Sequence, residues 1–145
     1  YVDNLLAEHG RGAALIRIAA PELVEAAERK LRGEPNDPAL FAGVIERLLA
    51  PSNAAGMDVV VLACTHFPLL SEELTAAAGQ SPDAGKIVFI DGADGIARRI
   101  LHLCKTQFRA MSPTRGLFVS TGPTDAAEPY RQALAHYRLT RFESL

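Results

Sequence analysis

The sequence predicts an α/β fold with a mostly parallel sheet and flanking helices. Apolar, strand-like runs alternate along the chain with amphipathic helical segments, at a spacing that is typical of parallel sheets. The clearest run, residues 57–63 (Met-Asp-Val-Val-Val-Leu-Ala), is apolar and β-branched, as expected of a strand that is buried on both faces. At 145 residues, of which 48% are hydrophobic, the chain is long enough for a domain with a substantial core.

The first part of the chain is predicted to contain four helices and three strands. The best-defined helix begins at Pro21 and ends near Leu31, with Glu22 and Glu25 near its positive end and Gly33 placed to cap it. The next helix carries an apolar stripe that consists of Leu40, Phe41, Val44, Ile45, Leu48 and Leu49. In order, the predictions are a helix at 2–9, a strand at 12–18, the helix at 21–31, the striped helix, the strand at 57–63, a helix at 68–78 and a strand at 86–90.

The second part of the chain is predicted to contain two helices and two strands. The first helix runs from residue 94 to about 108, and the strands cover 116–120 and 138–143. Asp125 and Glu128 stand at capping-box spacing and signal the second helix between these strands. Two strands and two helices are too few for an independent core. We therefore expect one domain at residues 1–93 and, at 94–145, a segment that completes a sheet whose other strands are missing here.

Composition excludes several classes of partner. The net charge of −2, with 22% charged residues, argues against nucleic acid or an anionic membrane surface. No apolar run approaches the roughly 20 residues that span a bilayer, and no signal peptide is visible. Two cysteines do not make a disulfide framework, so a reducing cytoplasm is the expected location. The chain starts at Tyr1 without an initiator methionine, as an internal cut or a processed amino terminus does.

Cys64, Thr65 and His66 form a dense polar cluster directly after the predicted strand at 57–63. In open α/β sheets, ligands bind at the carboxyl ends of the strands. The next helix begins near Pro68, and the free N–H groups and partial positive charge of its first turn favour a thiolate and a substrate carboxylate. The cluster thus supplies a thiol, a hydroxyl that can hold a carboxylate oxygen and an imidazole that can move a proton.

Less specific interpretations of these residues stay open at this point. A cysteine after a buried strand is about as often an inert core residue as a functional one, and a histidine can simply cap a helix or face solvent. A metal site is not expected, because Cys64 and His66 supply two ligands at most and the other histidines show no ligand spacing with them, namely His9, His102 and His136.

The run from residue 60 to residue 70, Val-Val-Leu-Ala-Cys-Thr-His-Phe-Pro-Leu-Leu, resembles the second cysteine signature of bacterial glutamate racemases. In that signature an apolar strand leads into Cys-Thr-His-Tyr/Phe-Pro-Leu-Leu. Relatives that act on aspartate or hydantoins share the Cys-Thr but typically replace the histidine, so His66 points to glutamate. Weaker similarities continue at residues 90–97, 117–122 and 19–28. In the last of these, Ala20 and Glu25 depart from the family's usual cysteine and proline, and Glu28 matches its glutamate near the active site.

This resemblance implies a cofactor-independent glutamate racemase, which interconverts L- and D-glutamate and supplies D-glutamate for peptidoglycan. In this family one thiolate removes the α-proton from one face of glutamate, and a second thiol delivers a proton to the opposite face. By resemblance, Cys64 is the base for L-glutamate and the acid in the reverse direction. His66 assists its proton state, Thr65 holds a substrate carboxylate, and Glu28 contributes from further out.

The same resemblance predicts what the chain lacks. The family's other catalytic thiol lies in the amino-terminal half, in a Cys-Asn-Thr type run that this sequence does not contain. Residues 1–93 then correspond to the second racemase domain, truncated at its amino end, and residues 94–145 to the end of the first. Cys104 is predicted to be structural, on a buried helical stripe with Ile100, Leu101 and Phe108. The chain is therefore expected not to racemise glutamate by itself.

Two rival functions remain. In a thiol hydrolase, Cys64 and His66 form a nucleophile–base pair, although the sequence shows no third residue to orient His66. In a non-catalytic regulatory domain, the racemase-like half only binds an amino acid or a partner protein. The leading hypothesis expects glutamate as the small-molecule substrate, no cofactor and no metal, and it leaves room for a homodimer of the full-length protein.

Overall fold

The computed structural model describes residues 2–51, 56–104 and 116–145. Its α-helices within these ranges are α1 Val2–His9, α2 Glu22–Leu31, α3 Pro38–Leu49, α4 Ser71–Gln80, α5 Ala93–Cys104 and α6 Arg131–His136. The strands there are β1 Val59–Val61, β2 Val88–Ile90, β3 Gly116–Ser120 and β4 Leu139–Ser144. Two 3₁₀ helices lead directly into α4 and α6, and they span Phe67–Leu70 and Thr124–Tyr130. No helix in these ranges is long and apolar enough to cross a membrane.

The described strands form two separate parallel pairs. β1 pairs with β2, with Val59 opposite Val88 and Val61 opposite Ile90. β3 pairs with β4, with an irregular register next to Gly116. Parallel neighbours need a crossover connection, and α4 provides it in the first pair and α6 in the second. The predicted α/β class, with parallel strands and flanking helices, is confirmed.

The hydrophobic core lies among α2, α3, α4 and the 3₁₀ helix Phe67–Leu70. α3 buries four residues of its predicted stripe, and α4 packs against it with Leu74 and Ala78. The 3₁₀ helix packs on α2 and buries Leu70 completely. Because Leu62 is buried as well, both ends of the connection between β1 and the 3₁₀ helix are anchored in this core.

Local sequence signals placed α2 correctly. The helix spans Glu22–Leu31 after Pro21, and Gly33 has the positive φ of +76° that a capping glycine adopts. The capping box predicted for Asp125 and Glu128 is wrong. That segment is the 3₁₀ helix Thr124–Tyr130, which has no side-chain cap and contains a proline. The proline lacks the N–H that an α-helical bond needs at this place.

The strand predicted at 12–18 is also wrong, since residues 13–20 have no regular secondary structure. An apolar run becomes a strand only where a neighbouring strand takes up its backbone hydrogen bonds, and the two described sheets have no strand beside this run. β1 is shorter than predicted, and it is not buried on both faces. Val60 packs against the core, whereas Val61 is 62% exposed, because the core helices of the described chain cover only one face.

The buried stripe predicted around Cys104 is wrong for the part that is described. α5 contains no buried residue, Ile100 and Leu101 are exposed, and Cys104 itself is half-buried. The pattern on α5 is amphipathic, but none of the described elements makes extensive contact with this helix. Phe108 and the predicted end of the helix lie outside the described residues.

Leu74→Ala should lower the free energy of unfolding by about 2–5 kcal/mol, the usual cost of an alanine cavity at a buried leucine. Leu74 is 2% exposed on α4. The control is Leu101→Ala on α5, where the leucine is 54% exposed, and its effect should stay near 0.5 kcal/mol or less. Urea unfolding of both variants measures the difference. Equal losses would show that α5 is packed as tightly as α4 in solution.

Candidate active site

The loop between β1 and the first 3₁₀ helix holds Cys64, Thr65 and His66 in a fixed backbone conformation. Before these residues, the Leu62 N–H donates to the Ile90 carbonyl at 2.8 Å, which extends the β1–β2 pairing. After them, the Phe67 N–H donates to the carbonyl of Cys64 at 3.2 Å, and the 3₁₀ helix begins there. The thiol therefore stands between a strand end and a helix start, as the sequence predicted.

The Cys64 thiol is paired with His66. Its Sγ lies 3.8 Å from Nδ1 of the imidazole. The pKa of Cys64 is lowered, first by the backbone N–H of His66, then by the His66 side chain. The backbone N–H of Phe67 adds a smaller contribution in the same direction. The first N–H groups of the turn and the imidazole thus stabilise the thiolate form together.

Glu28 on α2 holds the other side of the imidazole. Its Oε1 lies 3.2 Å from Nε2 of His66, and the packing of the 3₁₀ helix against α2 fixes this approach. The pKa of His66 is raised, first by its bond to Cys64 and then by its bond to Glu28. The side chains of His66 and Glu28 are 33% and 31% exposed, so water still reaches the pair and screens part of their charge.

Arg32 and Tyr130 lie behind Glu28, and sequence analysis found neither. Arg32 stands one helical turn after Glu28, with Nη1 4.0 Å from Oε2 of the carboxylate. Nη1 also donates to the Tyr130 hydroxyl at 3.5 Å. The pKa of Glu28 is lowered, first by a hydrogen bond from Tyr130 and, less strongly, by His66 and Arg32. The four-residue spacing could have revealed Arg32, but Tyr130 is 98 residues further along the chain and gave no local signal.

The structure thus brings three of the four site residues predicted from the sequence, Cys64, His66 and Glu28, into one hydrogen-bonded chain. Thr65 lies exposed between the first two. The third residue that the hydrolase hypothesis lacked is present, because Glu28 orients His66. Among the described residues, no group of three or more His, Cys, Asp and Glu side chains is placed to hold a metal ion.

This arrangement can take up and release a proton at one sulfur atom. A thiolate beside an imidazolium is a base that can accept a proton from carbon, and the protonated thiol can return one. The carboxylate of Glu28 stabilises the charged imidazole while the thiolate is present. Within the described residues these contacts act on one thiol, that of Cys64.

No model of a known protein family matches the chain, but individual proteins do. The glutamate racemase of Sphingopyxis alaskensis is 40% identical over 145 residues, which is 100% of this chain and 52% of the relative. The glutamate racemase of Shewanella loihica is 32% identical over 136 residues, or 93% of this chain and 47% of the relative. The chain therefore spans about half the length of the curated relatives it matches.

A solved structure gives the same result. The crystal structure of Escherichia coli glutamate racemase in complex with L-glutamate and the activator UDP-MurNAc-ala matches with a TM-score of 0.74 and 30% identity. The match covers 100% of this chain and 52% of that one. Fold and sequence together show an α/β chain of the kind found in amino-acid racemases. Along its whole length the chain is similar to the carboxyl-terminal half of glutamate racemases.

Glu28→Gln should make Cys64 less reactive at neutral pH. Without the carboxylate the pKa of His66 falls, a neutral imidazole stabilises the thiolate less, and the lowered pKa of Cys64 rises again. Iodoacetamide alkylation should therefore slow by about three- to tenfold at pH 7, with its pH profile moved to higher pH. Mass spectrometry of the peptide that contains Cys64 measures the rate separately from that of Cys104.

The matched control is Glu46→Gln on α3, where the glutamate is exposed and away from the thiol. Its alkylation profile should coincide with that of the unmodified chain. A Glu28→Gln profile that coincides as well would show that the contact with His66 does not govern the thiol.

Proposed function

We propose that this chain supplies one face of the active site of a cofactor-independent glutamate racemase, with Cys64 as one of its two acid/base thiols. The observation that carries the proposal is the Cys64–His66 pair at the carboxyl end of β1. The pair lies in a chain whose whole length is 40% identical to about half of a glutamate racemase. Cys64 removes the α-proton of L-glutamate as a thiolate and returns a proton as a thiol in the reverse reaction.

The neighbouring residues divide the remaining work. His66 stabilises the thiolate of Cys64, in keeping with the 3.8 Å between its Nδ1 and the sulfur. Glu28 keeps His66 charged and oriented, in keeping with the 3.2 Å between Oε1 and Nε2. Thr65 binds a carboxylate of glutamate through its hydroxyl. Removal of a proton next to a carboxylate builds up negative charge, and hydrogen-bond donors fixed around that carboxylate stabilise it.

The second thiol belongs to the other half of the racemase, and the exposed apolar surfaces of this chain support that division. The outer face of the β1–β2 pair consists of Val59, Val61, Val88 and Ile90, all of them exposed. On this proposal residues 1–93 form most of one racemase domain, and residues 94–145 complete the domain that carries the second thiol. The 145-residue chain does not racemise glutamate by itself.

The biological role proposed for the full-length protein is the supply of D-glutamate for peptidoglycan in the cytoplasm. The full-length protein then acts on glutamate as its small-molecule substrate and has neither nucleic acid nor a membrane as a partner. The absence of pyridoxal from the mechanism is consistent with a thiol that is already activated by its neighbours. Homodimerisation belongs to the full-length protein and is not required for the chemistry at Cys64.

A thiol hydrolase is the second candidate, and the contact between His66 and Glu28 specifically favours it, because nucleophile, base and orienting acid are all present. The backbone N–H groups argue the other way. Those of His66 and Phe67 act on the Cys64 sulfur itself, whereas a hydrolase needs donors at the position of an oxyanion. An activated ester such as p-nitrophenyl acetate separates the two functions, since a hydrolase turns it over and an acid/base thiol is acylated without turnover.

The isolated chain should show no racemisation of L- or D-glutamate by circular dichroism, at the level of a Cys64→Ser control. A chimera supplies the missing half, with the part of the Sphingopyxis alaskensis racemase that precedes the matched region joined to Tyr1. The chimera should racemise glutamate and incorporate solvent deuterium at Cα. Cys64→Ser in the chimera should lower kcat by about 10²–10⁴-fold, the usual contribution of a general acid/base.

Turnover by the isolated chain above the Cys64→Ser control would overturn the assignment of a one-sided site. A chimera that folds and binds glutamate but exchanges no deuterium would instead favour the non-catalytic binding domain.

A further inference from the structure

Tyr130 connects two parts of the sequence that are far apart. It ends the 3₁₀ helix Thr124–Tyr130, close to the β3–β4 pair, while Arg32 and Glu28 belong to α2. The Tyr130 hydroxyl lies 3.5 Å from Nη1 of Arg32, and the same guanidinium atom is 4.0 Å from Oε2 of Glu28. Oε1 of Glu28 faces His66. The second oxygen of the carboxylate is therefore the one that faces Arg32, whose Nη1 also contacts Tyr130.

The chemistry of these groups fixes the direction of the hydrogen bonds. A guanidinium only donates, so the Tyr130 oxygen accepts from Arg32 and its own proton is free to donate to Glu28. The carboxylate only accepts, from Tyr130 on one side and from Nε2–H of His66 on the other. Nδ1–H of His66 then faces the Cys64 sulfur. Each of these donors has an acceptor, and the series of hydrogen bonds leads from Tyr130 to the thiol.

We propose that Tyr130 is a positioning residue of this active site, which holds Glu28 against His66 and thereby maintains Cys64 as a thiolate. The proposal rests on the proposed function of Cys64 and adds a residue that contacts neither thiol nor substrate. The carboxyl-terminal segment, through Tyr130, then helps to control the proton state of a cysteine that lies far from it in the sequence.

Arg32 competes with His66 for the carboxylate of Glu28, and a positioning residue counteracts this competition. Its guanidinium is 4.0 Å from the carboxylate, near enough to compete with His66 for it. Glu34 holds Arg32 back through a contact of 2.7 Å between Oε1 and Nε. The Tyr130 hydroxyl accepts from Nη1, the guanidinium atom that lies 4.0 Å from Glu28, and so restrains that atom. Without that hydroxyl, Glu28 can turn toward Arg32, because charged hydrogen bonds are stronger than neutral ones.

The test is Tyr130→Phe in the 145-residue chain, with iodoacetamide alkylation of Cys64 followed from pH 5 to pH 10. Loss of the hydroxyl should move the profile upward by about half a pKa unit, which is roughly threefold slower alkylation at pH 7. A titration of the His66 ring by NMR should show a lower pKa in the same variant. Tyr137→Phe is the control, since Tyr137 is exposed on the surface, and both readouts should remain unchanged.

A double-mutant cycle separates positioning from a general loss of structure. In a Glu28→Gln background, Tyr130→Phe should have no further effect on alkylation, because the group it positions is gone. Equal effects of Tyr130→Phe in both backgrounds, or none in either, would overturn the proposal. Neither outcome touches the racemase assignment, which depends on turnover in the chimera.

If Tyr130→Phe does not fold, a fluorinated tyrosine at position 130 retains the ring and the hydroxyl. Its hydroxyl ionises at a lower pH, and the resulting phenolate cannot donate to Glu28. Alkylation of Cys64 should then show a fall at the pH where the fluorinated tyrosine ionises, detected by its absorbance. A profile without that fall would contradict the positioning role.

Discussion

The contact of 3.2 Å between His66 and Glu28 is the interaction on which the chemistry of this chain depends. A thiol ionises little at neutral pH unless nearby groups stabilise its anion. Here an imidazole and backbone N–H groups do so, and the imidazole remains charged because a carboxylate faces its other nitrogen. That carboxylate comes from a different element, α2, so the core that packs α2 on the 3₁₀ helix sets the distance. Burial of Leu62 and Leu70 on either side of the loop holds the other partner in place.

The β1–β2 pair of the described chain has an apolar surface that lies outside the core. One face of the β1–β2 pair packs on the core, and the other exposes valine and isoleucine side chains. These side chains are already about half covered, so complete burial of each gains roughly half of the 1.5–3 kcal/mol for a fully exposed one. A second half that covers this face is therefore favoured by several residues together. With the proposed function, the same association brings a second thiol to the opposite face of the substrate. On that proposal, the same second half covers the apolar face and supplies the second thiol.

Sequence reasoning succeeded where the determinants are local. Pro21, the acidic residues after it and Gly33 defined α2, and the spacing of apolar residues defined the buried stripe of α3. It failed at 12–18 and at the outer face of β1, because a strand and its burial depend on neighbours that no local pattern encodes. The site divides in the same way. Cys64 and His66 are two residues apart and were visible at once, whereas Glu28 was reached only through a family resemblance. Tyr130 became apparent only in three dimensions.

Under the proposed function, the environment of Cys64 must balance two requirements of proton transfer from carbon. A lower thiol pKa increases the fraction of thiolate but weakens that thiolate as a base, so a reversible acid/base thiol works best with a pKa near the working pH. Full burial of the imidazole and carboxylate would strengthen the interaction between their charges, because electrostatic interactions grow as water is excluded. In the described structure both side chains are about one-third exposed, which keeps that stabilisation moderate. In its proposed role Tyr130 supports this stabilisation by holding Glu28 against His66, whereas Arg32 lies near enough to the carboxylate to reduce it. The residues behind Glu28 therefore adjust the strength of the thiol as a base as well as its geometry.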